Sequence, residues 1–512
     1  MPAIFSASSL KRTLQARRYA LSLIAMTIFA AGVRMVHLNQ AMRYDEAYSY
    51  NQYASESLWE GLSNYSEPNN HIFHTVLMHA SIRLFGSTAW AVRLPVFLFG
   101  VLLVPVTFWT GRELLNRRVG IVAAGFAAGW PYLIHYSTNA RGYMIQCVVF
   151  LPMIVFARRL ARRFRWADAL GFAVLGAVGM FTVPTLLYGI AMLGLWMLAL
   201  GMFCARPGRR GAGLLRAGGA LAVAGGVMLA LTLALYAPVL LRMGHGQLTG
   251  NRFVEPLTLA QLLSAQELGR LVHVWGKWNL YASSTLMTVL GLAICLGVVA
   301  LLSRPSRRDL ALLLPCMALA VAALILYMRR IPPPRVWCFL LPPCLLLIST
   351  GLLWGLRKLA TPRRAVLRYL PPLAAMAIAV GLGLWAWQTR LVFDAADTAT
   401  FHQAEPIYRE LTQRMAPQDG LAVACPCDEP LKYYFRRADQ RPGRPTEDGR
   451  LFVVTLDDEH TIEYVLKEAG YAPASYSRGE IVKTFPGRHA QRIGPDRQFS
   501  NATIHVLQPK TP

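Results

Sequence analysis

Apolar runs of sixteen to twenty-five residues recur through the first 390 positions, separated by hydrophilic segments. Runs of that length reach, or nearly reach, across a hydrocarbon core of about 30 Å. Eleven are predicted to be transmembrane helices: 19–37, 94–111, 119–135, 142–157, 167–182, 185–203, 217–241, 283–302, 309–328, 336–356 and 369–388. Their uniform apolarity hides any 3.6-residue period, so length identifies them rather than amphipathicity. A further run, 71–85, carries His71, His74, His79 and Arg83, groups that are costly at membrane depth. It is read as an amphipathic helix lying along the outer interface. After residue 390 the pattern changes. Strand-like runs at 421–424, 451–456, 480–484 and 502–507 alternate with helical ones at 401–415, 430–437 and 461–469, which predicts a small α/β domain. The expected fold is an all-α polytopic membrane protein of about eleven helices over 1–390, with a first outer loop at 38–93. A soluble α/β domain is expected over 391–512.

Charge fixes the orientation of this pattern. The net charge is +25, but residues 391–512 hold 15 Lys/Arg against 17 Asp/Glu, so the excess belongs to the membrane part. Of the 37 basic residues before 391, 24 fall in 11–18, 112–118, 158–165, 206–216, 304–308 and 357–368. Those segments alternate with the others in chain order, as cytoplasmic loops do. The first loop and the tail are therefore expected on the periplasmic side of a bacterial inner membrane, with the N-terminus cytoplasmic. Counting 71–85 as a crossing would invert every later loop. Basic residues placed this way serve topology, so no nucleic-acid partner is expected. The first apolar run has basic residues before it but no small-x-small cleavage pattern, and is read as a retained helix. The cysteines lie mostly alone in apolar runs, apart from Cys425 and Cys427 in the tail.

Candidate chemistry gathers at the outer ends of the spans. Only ten acids precede residue 391, and five of them (Asp45, Glu46, Glu56, Glu60 and Glu67) occupy the first outer loop. Asp45 and Glu46 follow the first span directly. A partly desolvated carboxylate there can serve as a base on a hydroxyl, or the pair can simply stabilise a helix N-terminus. Asn69 or Asn70 can cap the helix that follows, while His71 can pair with Asp45 or join both acids in holding a divalent cation. Arg141, in a short outer turn beside Tyr143, opposes the charge bias and can grip a phosphate bidentately, unless it only snorkels. Arg329, Arg330 and Arg335 surround a triple proline that imposes a non-helical lead-in to the tenth span, and Lys277 lies in a long outer loop. Acid on one side and phosphate-binding cations on the other suit an anionic lipid substrate.

Five segments carry a resemblance: YDEAYS, EPNNHIFHTVLMHASIRLFG, WAVRLPVFLFGVLLVPVTFWTGREL, HYSTNARGYM and PPPRVWCFLLP. In order and placement they resemble the GT-C class of glycosyltransferases, in the group of family 39 protein mannosyltransferases and lipid A aminoarabinose transferases. The resemblance covers 19–160 well, the later spans loosely and the tail not at all. It implies a polyprenyl-phosphate-linked sugar as donor and a lipid, glycan or protein acceptor. It implies Asp45 as catalytic base, Glu46 as a supporting carboxylate or metal ligand, and Arg141 and Arg335 at the donor phosphate. Where many relatives have Pro-Pro-aromatic, this chain reads Pro68-Asn69-Asn70-His71, which leaves acceptor contacts and the use of a metal open. His71, Asn70, Tyr143, Lys277 and Arg329 complete the expected substrate-binding set. No phosphate-cradling glycine loop is present, so no nucleotide is expected. The rival reading is a transporter or flippase of an amphipathic anionic lipid, which would place its ionisable groups nearer the midplane.

Overall fold

The computed structural model describes the chain outside residues 1–6, 205–207, 247–255, 280–282, 360–365, 396–399, 458, 478, 488–499 and 511–512. Among the described residues nine helices are long and apolar enough to cross a membrane. The bent pair Arg117–Gly129 and Pro131–Ser137 makes a tenth if it is one span, and Trp166–Thr182 is apolar but shorter, at seventeen residues. These segments follow the eleven expected runs in order, so the protein is a multi-pass, helical membrane protein. The helix Ile72–Phe85 has fourteen residues. At 1.5 Å per residue it spans about 21 Å, too short to cross.

The bend in the third segment has a local cause. Pro131 has no amide hydrogen and disfavours helical geometry in the residue before it, so Trp130 is extended (φ −65°, ψ 121°). The two axes turn by 61°. A broken helix leaves carbonyls without intrahelical donors. Arg34, fully buried at the end of the first helix, supplies them, donating to the carbonyls of Ala127 (3.0 Å) and Ala128 (2.8 Å) and to Ser137 Oγ (3.0 Å). Side chains at Gly125 and Gly129 would collide with the carbonyl oxygens of Ala375 and Ala379. Small residues let these backbones touch, as membrane helix contacts require.

The chain forms two compact units. The first comprises Met1–His37, Leu62–His74 and Pro95–Gln388; the second comprises Leu38–Gly61, Thr75–Leu94 and Thr389–Pro512. A single expected boundary near residue 390 thus meets a different partition, because much of the first loop shares its buried hydrogen bonds with the tail. The tail carries a four-stranded sheet in the order β1-β2-β4-β3, with β1 Gly420–Val423, β2 Leu451–Leu456, β3 Glu480–Phe485 and β4 Ala502–Leu507. β1 and β2 are parallel and joined through the helix Asp428–Arg437; β4 pairs antiparallel with both β2 and β3. A parallel pair needs such a crossover. The expected strands all form, within a residue or two of their limits.

Candidate functional site

In the first unit, segment 62–74 is seated by aromatic packing. Tyr65 meets the edge of Tyr236 at 6.3 Å, and Tyr236 meets Phe181 at 5.4 Å, within a buried cluster that includes Ile72. Asn70 closes the turn by donating to the Asn64 carbonyl at 2.6 Å. His71 is then held against the turn between Pro131–Ser137 and the helix Tyr143–Arg162. Its Nδ1 accepts the Gly142 amide at 2.7 Å, and its ring stands edge-on to Tyr143 at 5.0 Å. A methyl on Gly142 would collide with Thr182 and come within 3.1 Å of that Nδ1, so glycine is needed for the approach.

This bond decides the chemistry of the pair. Nδ1 accepts, so the proton of the neutral imidazole is on Nε2. Arg141 Nη2 lies 3.4 Å from Nε2, and its guanidinium carbon 5.7 Å above the Tyr143 ring. With Nε2 protonated, neither group can accept from the other, so an N–H donor of each lies beside the other in a pair that an anionic oxygen suits. Arg141 is 3% exposed, which removes snorkelling as its explanation. Burial lowers the His71 pKa well below the ordinary imidazole value, and Arg141, His74 and Arg335 add to it. His74 is pushed down to about 3 by burial and by Arg141, so both rings stay neutral and the positive charge rests on arginine. Arg335 thus belongs to this cluster through its charge. It sits in the 3-10 helix Pro334–Leu340, which follows an extended Pro333 (φ −63°, ψ 157°) as the triple proline predicted. Arg329 performs a backbone task, ending the helix Leu313–Met328 in a left-handed conformation with φ 52°. Lys277 lies in the last turn of Ala265–Trp278, whose terminal carbonyl accepts the Trp130 indole at 2.7 Å.

Asp45 and Glu46 lie in the second unit, on the short helix Tyr44–Ser49 that runs into a wider turn at Tyr50–Ala54. The two acids differ sharply. Glu46 is fully buried: Oε1 accepts the Arg43 amide at 2.9 Å, and both oxygens accept from Arg93, with Nε–Oε2 at 3.0 Å. Arg93 also donates to the carbonyls of Leu38 and Gln40 (both 2.7 Å) and Ala41 (2.9 Å), tying down the stretch before the helix. Asp45 is half-buried and remains reachable. Glu46 is thus committed to the loop's scaffold. In the other unit, His71 Nδ1 is committed to the Gly142 amide. Among the described residues no group of three metal-binding side chains forms.

The platform under this helix was not apparent in the sequence. Arg43 is buried and donates to the Val392 carbonyl (2.7 Å) and Thr400 Oγ1 (2.6 Å). Asn51 Nδ2 donates to Glu429 Oε2 at 2.6 Å and Gln52 Nε2 to its Oε1 at 3.2 Å, while Arg436 donates to the Asn51 carbonyl and to Glu56. Tyr433 donates to the Ser87 carbonyl at 2.8 Å. The tail helix Asp428–Arg437 thereby braces the segment that carries Asp45. At its start, burial and then the neighbouring Glu429 push the Asp428 pKa up to about 6. Between about pH 4 and 6 the folded state then holds a proton the unfolded state has lost, so stability falls as pH rises through that window. Asp428→Asn should flatten this fall, checked by comparing Tm at pH 4.5 and 7 in variant and parent.

Comparisons with known proteins give similarities in sequence and in fold. Residues 69–224 match the family model described as dolichyl-phosphate-mannose-protein mannosyltransferase. That span contains His71, His74, Arg141 and Tyr143. No match was found among curated proteins. In fold, the chain is similar to ArnT from Cupriavidus metallidurans in the apo state, with a TM-score of 0.60 at 15% identity over 96% of this chain and 98% of that one. It is similarly close to the same protein bound to undecaprenyl phosphate, with a TM-score of 0.58 at 15% identity over 94% and 97%. The chain therefore has the fold of ArnT from Cupriavidus metallidurans over nearly its whole length, and residues 69–224 are similar in sequence to the mannosyltransferase family model.

Proposed function

We propose that the protein is an integral membrane glycosyltransferase that moves a sugar from a polyprenyl-phosphate donor to an acceptor hydroxyl on the periplasmic side, with Asp45 as general base. The observation that carries this reading is the buried donor pair of His71 Nε2–H and Arg141, reinforced by the charge of Arg335. Such a pair suits a phosphate oxygen, and the family match falls on the residues that build it. In the reaction, the Asp45 carboxylate takes the proton of the acceptor hydroxyl. The acceptor oxygen forms a bond to the sugar's anomeric carbon as the bond from that carbon to the phosphate oxygen breaks. The electron pair leaves with the polyprenyl phosphate, whose charge Arg141, His71 and Arg335 stabilise. Glu46 supports the base by fixing its helix, and no step requires a metal ion or a nucleotide.

The test is transfer by purified protein in liposomes supplied with a polyprenyl-phosphate sugar. Release of polyprenyl phosphate together with a glycosylated acceptor supports the proposal; movement of the lipid across the bilayer with no transfer would replace it with the flippase reading. Arg141→Lys keeps the charge but loses the fork that meets two oxygens. Turnover should fall on the order of 100-fold, by analogy with removal of one charge-stabilising donor. Single-turnover assays at saturating donor check this.

A further inference from the structure

Several arginines of the basic loops are tied to fixed partners. Arg158 and Arg162 both pair with Asp309, each at 2.6 Å, and Arg112 and Arg159 share Glu113 at 3.0 and 2.7 Å. Arg307 donates to the helix-end carbonyls of Leu114 and Leu115. Arg117, Arg118, Arg304 and Arg357 have no carboxylate within ion-pair distance among the described residues, and all four line two adjoining recesses of the first unit. The larger has a volume of about 330 Å³ and is walled by Tyr19, Asn116, Arg117, Arg118 and Arg357. The narrower shares Asn116 and Arg357 and adds Arg304 and Trp354. Arg118 and Arg304 both lie close enough to Arg357 for mutual repulsion.

Tyr19 adds a buried polar group to this wall. It is 3% exposed, and its hydroxyl lies beside Arg118 and Gln15 in the larger recess. Crowded guanidiniums repel, and an anion rich in acceptor oxygens relieves that repulsion while accepting from the same donors. The helices that form the walls continue as exposed apolar surface, with Leu21, Leu302 and Leu356 each 47% exposed or more. Acyl chains would find their solvent there, while free phosphate would gain nothing from it.

We propose that this double recess binds the headgroup of an anionic phospholipid bearing two phosphodiesters, drawn from the leaflet on the side of the basic loops. Four guanidiniums match two phosphates better than one, and basic pockets between membrane helices take up such headgroups. The site is distinct from the sugar-transfer site and does not depend on that reading.

The experiment is native mass spectrometry of the full chain released from detergent with added diphosphatidylglycerol or phosphatidylethanolamine. The parent should retain one diphosphatidylglycerol and no phosphatidylethanolamine. Arg118→Gln with Arg357→Gln should lower retention about tenfold or more. Tyr19→Phe should lower it measurably and carries the test alone if the double variant does not fold. Arg209→Gln with Arg210→Gln, an exposed pair in another basic loop, should leave retention unchanged. Equal loss from that control pair, or undiminished retention in both recess variants, would overturn the site. Displacement by inorganic pyrophosphate at the same concentration would overturn the lipid as occupant.

Discussion

Asp45→Asn should reduce sugar transfer by a factor on the order of 100 to 10,000, the range over which a positioned base contributes. The amide is nearly isosteric with the carboxylate but cannot take a proton at neutral pH. The helix that carries it is fixed by other groups: Arg43 on the stretch 392–400, Glu46 on Arg93, and Asn51 on Glu429. Tm should therefore stay close to that of the parent. Binding of polyprenyl phosphate should also persist, because the proposed phosphate contacts are Arg141, His71 and Arg335 and not Asp45. The loss should appear in kcat with little change in donor affinity, measured by single-turnover transfer alongside lipid titration. Asp45→Glu, with its base displaced by one methylene, should recover part of the rate. Normal turnover in Asp45→Asn would sink the assignment of the base.

The membrane helices were legible in the sequence because each is an uninterrupted apolar run. The tail was legible because its short strands and helices are bounded by polar turns. Individual site residues could also be found. Arg141 was conspicuous as a cation on the wrong side of the charge bias, and His71 as one of three imidazoles in the run 71–85. Their partnership was not legible: seventy positions separate them, and it rests on a Gly142 amide and a proline-broken helix whose geometry no periodicity encodes. The same limit hid Arg93. It sits 47 residues from Glu46, so the local sequence alone did not separate the two carboxylates, which only the resemblance distinguished. Nor does the first span announce that Arg34 satisfies carbonyls that Pro131 releases nearly a hundred residues later. Nothing in the local pattern around Glu429 and Arg436 points to the first outer loop. Charges that brace a distant loop have the same local pattern as charges that face water, and only tertiary structure separates them.

Glu46 and Asp45 are neighbours in sequence, yet substituting Glu46 should damage the protein rather than its chemistry. Glu46→Ala would leave the Arg93 guanidinium buried without its counter-charge and the Arg43 amide without its acceptor. Breaking a fully buried pair by removing one partner costs about 3–5 kcal/mol. Arg93→Met should be at least as harmful, since it strands the Glu46 carboxylate together with the carbonyls of Leu38, Gln40 and Ala41. The double variant Glu46→Ala with Arg93→Met should be less damaging than the sum of the two, because neither charge remains buried alone. Tm and folded yield in detergent read these effects directly, and activity per folded molecule separates them from catalysis. Glu46→Ala should lose folded protein while the surviving fraction keeps measurable turnover, whereas Asp45→Asn should fold normally and turn over slowly. If Glu46→Ala folded as well as the parent and lost only kcat, Glu46 would belong to the reaction and not to the scaffold. The contrast follows from burial: a carboxylate that must exchange a proton with substrate has to be reached, and one that accepts from a guanidinium on both oxygens is already spent.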